Sequence, residues 1–217
     1  MSIKKNILTF LLCSLWFSIH TTSHPFTVVL DPGSGYESAV LQMGMECLEA
    51  MRQALEDTFP QARIVLARTA QDRADHTQIA SFSNRLQADL HVSFNFVALK
   101  DSPSSIHVYT YADALHQTIF SQPSQDLSFT PVSTAYLGNQ KKSHEYASFF
   151  VTAVKTIGTA PVHPPASLPL KALQGILAPA FLVELSLTSS RDRKMSFTAL
   201  CEGFTKLISK FITQQIK

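Results

Sequence analysis

The sequence predicts an α/β fold: a three-layer sandwich with a mostly parallel central sheet and helices on both faces. Two observations carry this. Short β-branched runs alternate with amphipathic stretches at helical spacing, which is the order that builds parallel sheets. The chain of 217 residues is also long enough for one domain with a substantial core.

The first residues stand apart. Lys4 and Lys5 precede an apolar run from Ile7 to Ile19, and small and polar residues follow. That layout is a secretory signal peptide over residues 1–23, with a single domain over 24–217. The run falls short of the about 20 apolar residues of a membrane span. An uncleaved N-terminal anchor is the other reading. The expected location is the periplasm or cell envelope, with no membrane span once the signal is removed.

"HPFTVVLDPG" is a strand ending in a Pro-Gly turn. From Val40 to Phe59, Leu41, Met45, Leu48, Met51 and Leu55 mark a helix that Pro60 closes. "ARIVLART" is a second strand. "DHTQIASFSNRLQA" is helical, with Ile79, Phe82 and Leu86 on one stripe. "DLHVSFNFVAL" and "SIHVYTYA" are the third and fourth strands. Residues 112–166 are less regular, with a helix over Ser143 to Thr156. "PLKALQG" is a short helix and "APAFLVELSL" an apolar strand. A last amphipathic helix buries Phe197, Leu200, Phe204, Leu207, Ile208 and Phe211.

Charge excludes some partners. The chain has 18 basic and 16 acidic residues, and without residues 1–23, which hold Lys4 and Lys5 and no acid, the counts are equal. No electrostatic grip on nucleic acid is implied. Cys47 and Cys201 remain after signal removal. They could pair in an oxidising compartment or stay as two separate buried thiols.

In such sheets ligands sit beyond the carboxyl ends of the strands. Three polar residues fall there: Ser34, Asn95 and Glu184. Asp31, before Pro-Gly, is expected to hold its own turn.

"VVLDPGSG", "IVLART" with Asp72, "SNRLQADLHVSFNF", "IHVYTY" and "LKALQGILAPAFLVELSLTSSRD" occur in the order seen in the zinc-dependent N-acetylmuramoyl-L-alanine amidases. The chain resembles these cell-wall enzymes from about Phe26 to the C-terminal helix. The family cuts the bond between glycan and stem peptide. The resemblance implies a zinc histidine where this chain has Ser34, and a second imidazole ligand where it has Asn95. The family's glutamate ligand should fall near Val40; Glu37 and Glu46 lie on either side of that place. The family's catalytic glutamate matches Glu184.

Serine and asparagine are weak donors for zinc, which takes imidazole, thiolate or carboxylate. The implied zinc therefore lacks its ligands, and no metal or other cofactor is expected. Zinc lowers the pKa of its water from 15.7 to about 7. General-base help from Glu184 alone is worth about 10²–10⁴-fold, too little for an amide. The resemblance then implies a pseudoenzyme that keeps Glu184 and a groove for peptidoglycan, a muropeptide or an envelope protein. The alternative is an active amidase with a displaced metal site or a metal-free mechanism using Glu184. His116, His144 and His163 could supply such a site. His91 shares the strand face of Asn95 but lies about 13 Å away. His107 reads as a satisfied histidine of the neighbouring strand. Ser34 lacks the glycine frame of a hydrolase nucleophile. Glu184 has a structural reading too, bonding the "TSS" turn.

Overall fold

A computed structural model describes residues 25–33, 38–69, 74–98, 104–112, 132–158, 160–187 and 190–215. Six strands form one sheet: β1 (Thr27–Asp31), β2 (Arg63–Leu66), β3 (Leu90–Ala98), β4 (Ser105–Tyr111), β5 (Ala166–Leu168) and β6 (Ala180–Leu187). Their order is β2-β1-β3-β6-β4-β5. The first four in that order run parallel, and β4 with β5 runs against them. Four helices surround the sheet: α1 (Ser38–Thr58), α2 (His76–Arg85), α3 (Gln140–Lys155) and α4 (Ser190–Gln215). The three-layer α/β architecture expected from the sequence is present.

Every residue of β1 is buried. That fits an inner parallel strand covered on both faces, which needs apolar residues without alternation. The larger core lies on one face. Leu30, Phe94, Val183 and Val108 of the sheet meet Leu48, Met51 and Leu55 of α1, Phe150 and Val154 of α3, and Leu200, Phe204, Leu207, Ile208 and Phe211 of α4. Phe204 sits at its centre, 4.6 Å from the ring of Phe150 and 5.7 Å from that of Phe94. Gly203 makes this approach feasible, since a Cβ there would lie 2.6 Å from Val154.

The other face carries α2, a smaller cluster of Ala80, Tyr111, Tyr136, Leu173, Ile176, Ala178, Ala180 and Leu182, and the polar residues considered below. The helix starts where Asp75 and Gln78 cap one another's backbone. Its buried positions are Ile79, Ala80 and Ser83, while Phe82 and Leu86 are half-exposed. The expected stripe is corrected here: the helix is turned so that Ser83 reaches a buried histidine of β3.

One strand was not foreseen. β5 has three residues, all exposed, between Pro165 and Pro169. It has no apolar alternation to betray it, and its pairing to Tyr109, Thr110 and Tyr111 is what defines it. The "PLKALQG" helix is a single 3-10 turn, Lys171–Leu173. The leader and Phe197's side chain lie outside the described residues.

The turn after β1 decides where the site stands. Gly33 has φ of 69°, a left-handed conformation natural to glycine. A side chain there would clash with the Phe94 carbonyl oxygen. The turn therefore begins directly over the backbone of Phe94 and Asn95.

Candidate functional site

Strand register brings three sequence-distant side chains into one row. Asn95 on β3 pairs with Glu184 on β6, and Glu184 pairs with His107 on β4. All three are half-buried. Asn95 Nδ2 donates to Glu184 Oε2 at 2.9 Å. So two of the three residues expected at the strand ends are in contact, but inside their strands: β3 runs on to Ala98 and β6 to Leu187, because the Asn95–Glu184 pairing continues through Ala98 and Leu187. Ser34, the third, lies outside the described residues, as do Glu37, Asp72 and His116. The backbone of Val40 is in α1, and its side chain is likewise outside.

The row continues past the sheet's centre. The segment before β5 runs beside β4, and His163 N donates to the Ile106 carbonyl at 3.0 Å. The His163 ring stacks on His107, centroids 4.1 Å apart and planes 8° from parallel. Tyr109, two residues on, has its ring 6.2 Å from His107 with the same 8° tilt. Ser105 Oγ lies 3.2 Å from His107 Nε2. Burial pushes the Tyr109 phenol above its ordinary value, and the Glu184 charge adds to this. His107 is thus more than a satisfied histidine of a neighbouring strand: antiparallel register sets it directly beside Glu184.

A second polar layer lies deeper on the same face. Arg68 Nε donates to Asp31 Oδ1 at 2.7 Å and its second nitrogen to Oδ2 at 3.1 Å. Both side chains are almost wholly buried. Arg68 also donates to the Ala74 carbonyl at 3.2 Å. Ser93 Oγ donates to Asp31 at 3.4 Å. His91 lies between Ser93 and Ser83, 3.2 Å from each hydroxyl. Burial pulls the His91 pKa down to about 4, against the pull of Asp31 and with that of Arg68. The imidazole is neutral at pH 7, where its two nitrogens act as one donor and one acceptor.

Asp31 is drawn into this layer: its described partners are Arg68 and Ser93, and the turn it was expected to hold, from Ser34 on, lies outside the described residues. Arg68 was missed, although its signal was present: an arginine just past a strand can face an aspartate just inside a parallel neighbour. The register Leu30 to Leu66 makes them neighbours, and that register is not written in either strand alone.

Of the other described histidines, His144 does not join this row. His144 is exposed on α3, which packs against the opposite face of the sheet. Among the described residues, no group of three or more His, Cys, Asp and Glu could hold a metal ion. The described donors at this place do not make up the ligand set of the zinc that the sequence resemblance implies. Asn95 is a neutral amide, and its nitrogen is given to Glu184. Neither Cys47 nor Cys201 is in a disulfide.

The described architecture, a six-stranded, mostly parallel sheet with helices around it, matches solved structures. An N-acetylmuramoyl-L-alanine amidase from Clostridium difficile 630 superposes with a TM-score of 0.63 at 16% identity, covering 88% of this chain and 98% of that one. The chain has the fold of these amidases. AmiC2 of Nostoc punctiforme, also an N-acetylmuramoyl-L-alanine amidase, gives 0.60 at 16% identity over 85% of this chain and 98% of its own. The apo form of Ami1 from Mycobacterium abscessus gives 0.58 at 15% identity, over 84% and 98%. No family model and no curated protein matches. Among the described residues, no helix is long and apolar enough to cross a membrane.

Proposed function

We propose that the chain is an exported peptidoglycan-binding protein of the amidase fold that does not use the zinc mechanism. The observation that carries this reading is the hydrogen bond between Asn95 and Glu184. In a zinc amidase the residue at Asn95's place would give a nitrogen lone pair to the metal. Here the amide turns its N–H toward the carboxylate, and that N–H has no lone pair to give a metal. The same bond orients Glu184. A carboxylate so held can accept hydrogen bonds from a bound ligand. Without a Lewis acid it cannot polarise an amide carbonyl or lower the pKa of water.

On this reading residues 1–23 are removed on export, and the domain from 24 onward works in the periplasm or cell envelope. The groove over β3, β6 and β4 receives a muropeptide or a glycan strand. An envelope protein could share the surface. The experiment has two arms. Purified peptidoglycan is incubated with the domain and released stem peptide is sought by mass spectrometry; none is expected. Binding of soluble muropeptide is measured by calorimetry, with a dissociation constant expected in the micromolar-to-millimolar range, about −4 to −8 kcal/mol. Peptide release abolished by Glu184→Ala would overturn the non-catalytic reading in favour of an active amidase. Absence of any muropeptide binding would overturn the ligand.

A further inference from the structure

We propose that the His163, His107 and Tyr109 rings, beside the Asn95–Glu184 pair, form a subsite for the neutral N-acetylated sugar of a glycan and not for the stem peptide. The inference rests on the peptidoglycan-binding reading above and names which part of that ligand the groove takes.

The rings come first. His163 and His107 stack at 4.1 Å, and His107 and Tyr109 share one orientation to within 8°. His163 is exposed although its ring is stacked on one side. An exposed histidine held in a stack presents a fixed flat surface, and flat rings receive the C–H face of a pyranose. Its backbone is fixed by the bond to Ile106 and by Pro164 and Pro165, which follow it directly. Little conformational freedom is lost when a ligand docks there.

The polar partners come second. The bond from Asn95 uses one N–H and one carboxylate oxygen. Glu184 Oε1, Asn95 Oδ1 and the second Asn95 N–H appear in no other described hydrogen bond. Two acceptors and a donor beside an aromatic wall match a sugar's hydroxyls and acetamido group.

Charge decides between the two halves of a muropeptide. The stem peptide carries free carboxylates, and the N-acetylated glycan is neutral. The described partners of Glu184 include no lysine or arginine. Arg68, at the neighbouring strand end, is committed to Asp31 and the Ala74 carbonyl. A carboxylate with no cationic partner among the described residues repels an anionic peptide and accepts hydroxyl donors.

The test titrates the exported chain with three probes: a peptide-free N-acetylglucosamine oligosaccharide, free stem peptide, and intact muropeptide. Calorimetry gives affinity, and proton NMR follows the histidine ring signals. The oligosaccharide and the muropeptide should bind, and the stem peptide should not at the same concentration. The ring signals of His107 and His163 should shift, and that of His144 should stay. His163→Ala and His107→Ala should each weaken both sugar ligands about three- to tenfold, the range of one aromatic contact. If His107→Ala fails to fold, the exposed His163→Ala decides. Muropeptide binding that neither variant weakens, or binding by the stem peptide while the oligosaccharide is silent, overturns the subsite and leaves the peptidoglycan reading standing. Silence from all three probes overturns both.

Discussion

Replacing Arg68 by methionine should destabilise the domain by on the order of 3–5 kcal/mol, the cost of leaving a buried charge without its partner. The magnitude follows from burial and geometry. The Asp31 side chain is 0% exposed and that of Arg68 6%. Two hydrogen bonds, at 2.7 and 3.1 Å, join them as a fork. Methionine keeps the apolar stem but removes every donor. Among the described residues, Asp31 would retain only the Ser93 hydroxyl, at 3.4 Å. The Ala74 carbonyl loses its donor as well. Domains are stable by about 5–15 kcal/mol, so the variant would stand near the edge of folding. The double variant Asp31→Leu, Arg68→Met removes both charges and should recover most of the loss, because desolvation is then no longer opposed. Urea denaturation with equal slopes measures each difference. In thermal melts the single variant should fall by about 6–20 °C, at 2–4 °C per kcal/mol for a chain of this size. A loss below about 1 kcal/mol in Arg68→Met would refute the reasoning. So would a double variant as unstable as the two singles summed.

Three further outcomes are expected. His91 has its folded pKa pulled down to about 4 from an ordinary value of 6.5, so the unfolded chain binds the extra proton. Its stability contribution is complete above pH 6.5 and is lost as pH falls toward 4, by on the order of 3 kcal/mol; His91→Gln should flatten that part of the stability–pH curve, and an unchanged curve would refute the assignment. Burial first, and the neighbouring Cys47 next, push the Cys201 thiol up to about 12. At pH 8 it should therefore resist alkylation in the folded chain and react once unfolded, as read by peptide mass spectrometry. Finally, melting curves with and without a strong chelator should coincide, and elemental analysis should find no stoichiometric zinc, since a bound metal would add its binding energy to stability; a lowered midpoint would reveal a metal site.

Most of the architecture could be read from the chain because its elements carry strong periodic signals. Leu48, Met51 and Leu55 repeat at helical spacing and are buried as that spacing requires. "FLVEL" is apolar because β6 is flanked by strands and covered on both faces. β5 carried no such signal: Ala166, Ser167 and Leu168 face solvent and are strand only because Thr110 and its neighbours pair with them. The site divides in the same way. Asn95 and Glu184 were legible as polar residues in otherwise apolar strand sequences. His107 and Arg68 were not, because each acquires its role from a neighbour remote in sequence. The direction of β4 places His107 beside Glu184, and the β1–β2 register places Arg68 beside Asp31. Nothing local encodes either relation.

The position of β6 has a consequence for the order of assembly. It is the last strand in the chain, yet it lies inside the sheet, between β3 and β4. Until residues 180–187 are present, β3 has one open edge, and the β4–β5 pair has nothing to join. The nascent chain is then two sheet fragments with unpaired backbone donors and acceptors, the state most prone to pairing with the wrong strand. The parallel β3–β6 pairing must close across 89 residues between Asn95 and Glu184, and such distant closure is slow. The row of Asn95, Glu184 and His107 comes into being in that same step. A chain truncated before Ala180 therefore lacks Glu184 and the strand that joins Asn95 to His107, so the row exists only in a chain made through to β6.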